Sequence, residues 1–233
     1  MTADGTLLWP TTTTTKRGPK PKMTLDRIVD AAIGLADEHG LATVSMQRVA
    51  DELGATKMSL YRYLPGKAEL TALMLDKRLG APPSPRETNG NEWRHDLRAW
   101  TNGVHRRFAE APWALELAVG ARIIGPNELA WMERGLAALA DTPLTWPERL
   151  DVLALLSGHA RNIVQQQTTT GRPEHEIATL LVGIVEENSA DFPHVAAAFA
   201  GGSAGGGRDD ALDFGIERIL DGVDALIATR GAL

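Results

Sequence analysis

VADELGATKMSLYRYLPGK, residues 49–67, decides the fold. Val49, Ala50 and Leu53 lie at helical spacing and share one buried face. Gly54 follows at once, where a helix ends in a left-handed residue that glycine adopts at least cost. Thr56 caps the next helix through its hydroxyl. Leu60 and Leu64 are four apart and point inward together. Lys57, Met58, Ser59, Tyr61, Arg62 and Tyr63 are left facing outward, and Pro65-Gly66 stops the helix. Two helices joined by a short glycine-containing turn, the second rich in donors, describe a helix-turn-helix.

At these residues the sequence resembles the tetracycline-repressor (TetR/AcrR) family of bacterial regulators. The shared elements are Val49, Ala50, Leu53-Gly54, Leu60-Tyr61, Tyr63-Leu64 and Lys67, and the match covers Thr24 to Gly80. Ala55-Thr56 stands where the family commonly has Val-Ser, and Tyr63-Leu64 where it has His-Phe or Tyr-Phe. GPNELAW (125–131) and DFGIERILDGVDALI (213–227) resemble the effector-binding and dimerisation domain of the tetracycline-repressor branch. The resemblance implies phosphate contacts from Thr43, Ser45, Gln47 and Lys67. It also implies a homodimer on palindromic operator DNA that answers to a small molecule.

The 233 residues suffice for one large domain or two small ones. The absence of cysteine removes disulfides and thiolate chemistry and fits a cytoplasmic protein. No apolar run is long enough to span a membrane, and the N-terminus is a poor signal peptide. The net charge of −6 is unevenly spread. Residues 1–80 carry 11 Lys and Arg against 9 Asp and Glu; residues 81–233 carry 13 against 21. An acidic total is compatible with DNA binding, because the field near the contact surface decides.

Residues 1–15 are polar and threonine-rich, and disorder is expected there. Lys16, Arg17, Lys20 and Lys22 follow, broken by Gly and Pro, as an extended basic arm. Residues 1–23 are thus assigned as the arm, which contacts DNA along phosphates or in a minor groove; a solvated tail is the bland alternative. Thr24 caps a first helix ending at Gly40, and Ser45 caps a second. A fourth helix, from Lys67 to Gly80, connects the helix-turn-helix domain (24–80) through a Pro-rich linker (81–91) to a helical domain (92–233). Within that domain Trp93, Leu97, Trp100, Val104 and Phe108 form one apolar stripe. A helix over 128–140, a long one over 147–167, another over 173–188 and a last one over 209–230 follow, with a Gly-rich loop at 201–207. Leu212, Ile216, Ile219, Val223 and Leu226 have heptad spacing. With Leu153, Leu156 and Ala160 they are the expected dimer interface. No strand pattern appears, so the fold class is all-α.

Two tyrosines flanking an arginine suit phosphate and groove-edge contacts better than core packing. Lys57, Met58 and Arg62 are assigned to base edges; Tyr61, Tyr63 and Lys67 are assigned to phosphates. Thr56 and Ser59 complete the contact set. A phosphate at Lys67 would meet both the ammonium and the free N–H groups of a helix start. For Ser45, capping alone explains the hydroxyl equally well. The tryptophans read first as core; together Trp93, Trp100, Val104, Phe108, Trp113 and Trp131 also suit an aromatic-lined effector pocket. His105, His159 and Asn162 are polar candidates beside it. No catalytic or metal site is expected, and no cofactor. His175-Glu176 is followed by Thr179 where a zinc-peptidase motif needs His, and Ser157-Gly158-His159 lacks the setting of a nucleophile elbow.

The reading is a ligand-responsive DNA-binding regulator, most simply a repressor released by a small apolar or aromatic molecule. The alternative is a small-molecule-binding protein or enzyme with a vestigial DNA-binding domain. A sequence-indifferent DNA-binding protein is a further rival. The intact outward face from Lys57 to Tyr63 speaks against the vestigial reading.

Overall fold

The computed structural model describes residues 7–9, 23–83, 93–170, 182–202 and 211–231, and among them every regular element is helical. In order these are α1 (Leu25–His39), a 3-10 turn (Leu41–Thr43), α2 (Met46–Glu52), α3 (Lys57–Leu60), α4 (Lys67–Leu79), α5 (Trp93–Glu110), α6 (Ala114–Leu117) and α7 (Pro126–Ala138). Then come α8 (Trp146–Thr170), a segment α9 described over 182–187, α10 (Pro193–Gly202) and α11 (Ala211–Gly231). The chain divides into two compact units, Met1–Asp141 and Thr142–Leu233.

In the first unit the helix ends follow from local chemistry. Thr24, Ser45 and Thr56 each accept a backbone N–H three residues on and so satisfy one orphan donor of α1, α2 and α3. After α2, Gly54 takes φ 60°. The N–H of Ala55 then reaches the Ala50 carbonyl at 2.8 Å, and that of Gly54 reaches Asp51 at 3.0 Å. This is the Schellman closure, and it fixes the tight turn into α3. Ile28, Ala32, Val44, Val49, Ala50, Leu60, Leu64, Leu70 and Met74 fill the core between α1 and α4. Lys77 of α4 ties back to Asp26 and Asp30 of α1 at 3.1 and 2.7 Å.

The Pro-rich break at 81–91 separates stretches of chain that nevertheless pack together. Arg78 donates to the Glu110 carbonyl at 2.8 Å, and the Trp113 indole N–H donates to Asp37 of α1 at 2.7 Å. Loss of helical periodicity marks a break in the chain's regularity, which is a different thing from a break in packing.

Near the N-terminus only residues 7–9 are described. Leu8 lies in a short turn at 7–9 and is 4% exposed. The apolar triplet Leu7-Leu8-Trp9 interrupts an otherwise polar tract, and burying Leu8 repays the ordering of these residues.

In the second unit α8 and α11 pack along their lengths. Arg230 of α11 holds Glu148 of α8 at 2.6 Å, and His159 meets the Leu212 carbonyl through Nε2 at 3.0 Å. The close approach at His159 requires Gly215, since a Cβ there would lie 2.2 Å from the ring.

Candidate nucleic-acid interface and helical body

The second helix of the helix-turn-helix is shorter than its sequence suggests. The α-helix ends at Leu60, and Tyr61–Tyr63 continue as a tightened turn in which Tyr63 N–H donates to Leu60 at 2.8 Å. Leu60 and Leu64 are buried as their spacing requires. Of the six residues read as outward, Lys57, Tyr61 and Arg62 are exposed and Met58 is 73% exposed, while Ser59 and Tyr63 are half-buried. The Lys57 ammonium lies 5.9 Å from the centre of the exposed Tyr61 ring, a contact that favours one cation position without neutralising it.

The remaining hydroxyls divide their work. Thr56 and Ser59 both serve the start of α3, the Ser59 hydroxyl donating to the Thr56 carbonyl at 2.6 Å. Tyr63 donates its phenol O–H to the Met23 carbonyl at 3.1 Å. That bond ties the recognition turn to the root of α1, so the donor assigned to a phosphate is already engaged inside the chain. Thr43 donates to Gly40 at 2.8 Å, and exposed Gln47 donates to Asp51 at 2.8 Å. Ser45 stands exposed at its cap. Lys67 is exposed at the first position of α4, whose cap Gly66 supplies no side-chain acceptor. An anion at this helix start would find open N–H groups with Lys67 beside them, though Glu69 puts a carboxylate in the same first turn. Lys16, Arg17, Lys20 and Lys22 lie outside the described residues.

The aromatic stripe makes internal contacts. Trp93, Trp100, Val104 and Phe108 of α5, with Trp113 and Trp131, are all buried. Trp100 meets Trp131 edge-on, with ring centres 6.4 Å apart, and donates its N–H to the Trp131 carbonyl at 2.7 Å. Trp131 in turn donates to the Gly80 carbonyl at 2.9 Å. A Cβ at Gly103 would sit 2.8 Å from Trp131, so glycine makes room for that ring. Asp96 pairs with Arg134 at 3.3 Å, tying α5 to α7 a second time. His105 is half-buried on the same helix. His159 and Asn162 belong to the second unit: His159 bonds the chain beside α11, and Asn162 is exposed. An open groove of about 680 Å³ lies between α1 and α2, edged by Arg27, Glu38, Arg48, Asp51 and Glu52; its charged lining does not suit an apolar ligand.

Much of the expected dimer seam is already covered within the chain. Leu156, Ala160 and Ile216 are 0% exposed, and Leu153 and Val223 are buried beside them. Leu212, Ile219 and Leu226 are half-covered. These residues hold α8 to α11 within one chain, because a heptad seam on one helix is satisfied by its nearest apolar neighbour. Large apolar groups left outside on this pair are Trp146, Leu150 and Leu155 on α8 and Phe214 on α11, the last 66% exposed.

The sequence-read site therefore separates into an exposed donor face and a set of internally used residues. Missing from the sequence reading was Asp76 of α4. It is buried, and it accepts backbone N–H groups from Asn127 at 2.9 Å and Glu128 at 3.2 Å. Burial pushes its carboxyl above the usual range, against the lowering effect of those hydrogen bonds. The available signal was an acidic residue whose neighbours at helical spacing, Ala72, Leu73 and Leu79, are apolar.

Comparison with known proteins accounts for both halves. Residues 28–74 match the model of bacterial regulatory proteins of the tetR family, and residues 84–227 match that of the tetracyclin repressor-like C-terminal domain. The HTH-type transcriptional repressor DrrR1 of Streptomyces coeruleorubidus is 37% identical over 96% of this chain and 86% of its own. An HTH-type transcriptional regulator of Saccharopolyspora erythraea is 32% identical over 88% of this chain and 86% of its own. Apo ActR from Streptomyces coelicolor superposes with a TM-score of 0.77 at 26% identity, covering 92% of this chain and 99% of that one. ActR has also been solved in complex with actinorhodin and with (S)-DNPA. Among the described residues no helix is long and apolar enough to cross a membrane. With both domains matched in order and relatives aligned over nearly its whole length, the chain belongs to the TetR family of bacterial transcription regulators.

Proposed function

We propose that this regulator is a cytoplasmic repressor that binds a palindromic operator as a homodimer and leaves it when a small aromatic molecule binds the helical body. The observation that carries the reading is the outward face of α3. Lys57, Met58 and Arg62 project from a capped, rigidly seated helix, and no described contact engages the Arg62 guanidinium or the Met58 side chain. Lys57 and Arg62 read base edges, and a good pairing with guanine discriminates by about 1–3 kcal/mol. Exposed Lys67 holds a phosphate at the open start of α4. The basic arm adds salt-dependent contacts along the backbone.

Dimerisation uses the outer surfaces of the α8–α11 pair, where Leu150, Leu155 and Phe214 are exposed. A two-fold pair presents its recognition helices roughly 34–36 Å apart, or a multiple of that, and the operator is correspondingly palindromic. The aromatic effector class is supported by the ActR complexes with actinorhodin and (S)-DNPA and by the tryptophan-rich α5–α7 region, where Trp100 is the natural fluorescence reporter. Selection of binding sites from a random duplex library, followed by footprinting, tests the reading. An inverted repeat protected on both arms is expected. Equal protection of all sequences would return the protein to sequence-indifferent binding, and no protection would leave the DNA-binding half vestigial.

A further inference from the structure

The strongest unassigned feature of the molecule is the joint between α4 and α7. α7 opens at Gly125-Pro126, and its cap supplies no side-chain acceptor. Its first N–H groups would be orphans. Asp76, from the middle of α4's last turns, satisfies them from outside. Its Oδ1 accepts from Asn127 N–H and Glu128 N–H, its Oδ2 accepts from Asn127 Nδ2 at 3.0 Å, and the same Nδ2 donates to the Asp76 carbonyl at 3.0 Å. The approach is close enough to need glycine, because a Cβ at Gly125 would lie 2.1 Å from Asp76 Oδ1.

The service is returned. Trp131 of α7 donates its indole N–H to the Gly80 carbonyl at the C-terminus of α4. Each helix thus completes the open end of the other. The next residue, Lys77, grips Asp26 and Asp30 of α1. Neighbouring side chains on α4 therefore hold opposite partners: one grips the reading head, the other the helical body. Four hydrogen bonds close the Asp76 joint. Burial of its charge and the nearby Glu128 carboxylate oppose it.

We propose that the Asp76 cap on α7 is the positioning latch of this regulator: closed, it fixes α4 and hence α3 at the angle that fits the operator; open, it releases them. The inference rests on the operator-binding reading given above. Effector binding acts by favouring the open arrangement, and it can shift the balance only by its differential affinity for the two.

The test uses the full-length protein and the duplex that wild type selects from a random library. Asp76→Ala removes the acceptor. It should lose operator affinity by about tenfold, within the range of ordinary allosteric coupling, measured well below its unfolding temperature. Asp76→Asn keeps an Oδ1 acceptor for both backbone N–H groups but turns its own Nδ2 toward Asn127 Nδ2, so its loss should fall between wild type and Asp76→Ala. If Asp76→Ala does not fold, Asn127→Ala serves in its place. It removes both Nδ2 bonds, keeps the backbone ones and should weaken binding about threefold. Exchange of the Asn127 and Glu128 amides with solvent should slow when operator DNA binds wild type. With actinorhodin as the effector probe, any release of wild type from the operator should shrink in Asp76→Ala.

A folded Asp76→Ala protein that holds the operator as tightly as wild type overturns the latch and leaves the operator-binding reading standing. An Asp76→Asn loss equal to that of Asp76→Ala overturns it too, since the two retained backbone bonds would then count for nothing. Exchange unchanged by DNA counts against it in the same way. A wild-type protein that selects no sequence overturns both readings together.

Discussion

The outer face of α3 and the seam of α11 look alike in the sequence: each is a periodic set of side chains inviting a partner. The structure treats them oppositely. Lys57, Met58 and Arg62 stay outside, while Ile216, Leu220 and Val223 are buried within their own chain. The difference is physical. Donors arranged around the narrow Leu60–Leu64 stripe have no use in a core that lacks acceptors, so their exposure is legible. An apolar stripe says only that something covers it, and here the neighbouring α8 does so before any second chain can.

The largest expected effect separates these two fates. Ile216→Ala should cost about 2–5 kcal/mol of unfolding free energy, read from the denaturant midpoint of the whole chain. Phe214→Ala, on the outside of the same helix, should change stability by no more than about 0.5 kcal/mol while weakening self-association in sedimentation. The comparison breaks if Ile216→Ala dissociates the dimer and leaves the midpoint unmoved.

On the α3 side the expected effects are smaller and concern binding. Lys57→Ala should flatten preference at one operator position, losing about 1–3 kcal/mol of discrimination there. Lys67→Ala, at a phosphate, should weaken all sequences alike and reduce the salt slope by about one. Binding profiles over a randomised operator at two salt concentrations check both. Identical profiles for the two variants would dissolve the division between base and phosphate contacts.

Where the chain was legible, the reason was local. Thr24, Ser45 and Thr56 cap their helices, and Gly40 and Gly54 close theirs at positive φ, because a cap needs only the few residues that follow or precede it. The exposed face of α3 was legible for the same reason. What escaped depends on distant chain. Nothing near Tyr63 says that its hydroxyl bonds Met23, nor near Trp100 that its N–H reaches the Trp131 carbonyl, nor near Trp131 that its own N–H closes the end of α4. A tryptophan's spacing gives its face and leaves open what its ring meets, so brace and pocket wall read identically. The Asp76 cap spans 51 residues of chain, and sequence offered it only as an acid among apolar neighbours.

A smaller effect again is expected at the start of α3. Thr56→Ala removes the acceptor for Ser59 N–H and should cost about 1 kcal/mol of stability, as such caps do. The loss should appear equally with and without DNA if the hydroxyl serves only the helix. A loss of operator affinity larger than the loss of stability would return Thr56 to the contact set.

The smallest effect lies at the joint of α8 and α11, and it is seen in acid. Glu148 completes a capping box: its carboxylate accepts from Thr145 N–H at 2.7 Å and from the Thr145 hydroxyl at 2.8 Å. Arg230 of α11 reaches the other oxygen at 2.6 Å. The Thr145 backbone bond first, and Arg230 after it, hold the Glu148 carboxyl down at about 2, from an ordinary 4.5. A carboxyl depressed in the folded state gives stability that is complete above its unfolded value and disappears as pH falls through its folded one. The difference in unfolding midpoint between wild type and Glu148→Gln should therefore be constant above about pH 5 and shrink toward zero near pH 2. Because the backbone bond is the larger cause, Arg230→Gln should leave most of this acid dependence in place. Added salt should erode the part that Arg230 supplies, since the Arg230 side chain is exposed to solvent. If Arg230→Gln abolishes the acid dependence as fully as Glu148→Gln does, the ion pair holds the joint and the cap is incidental.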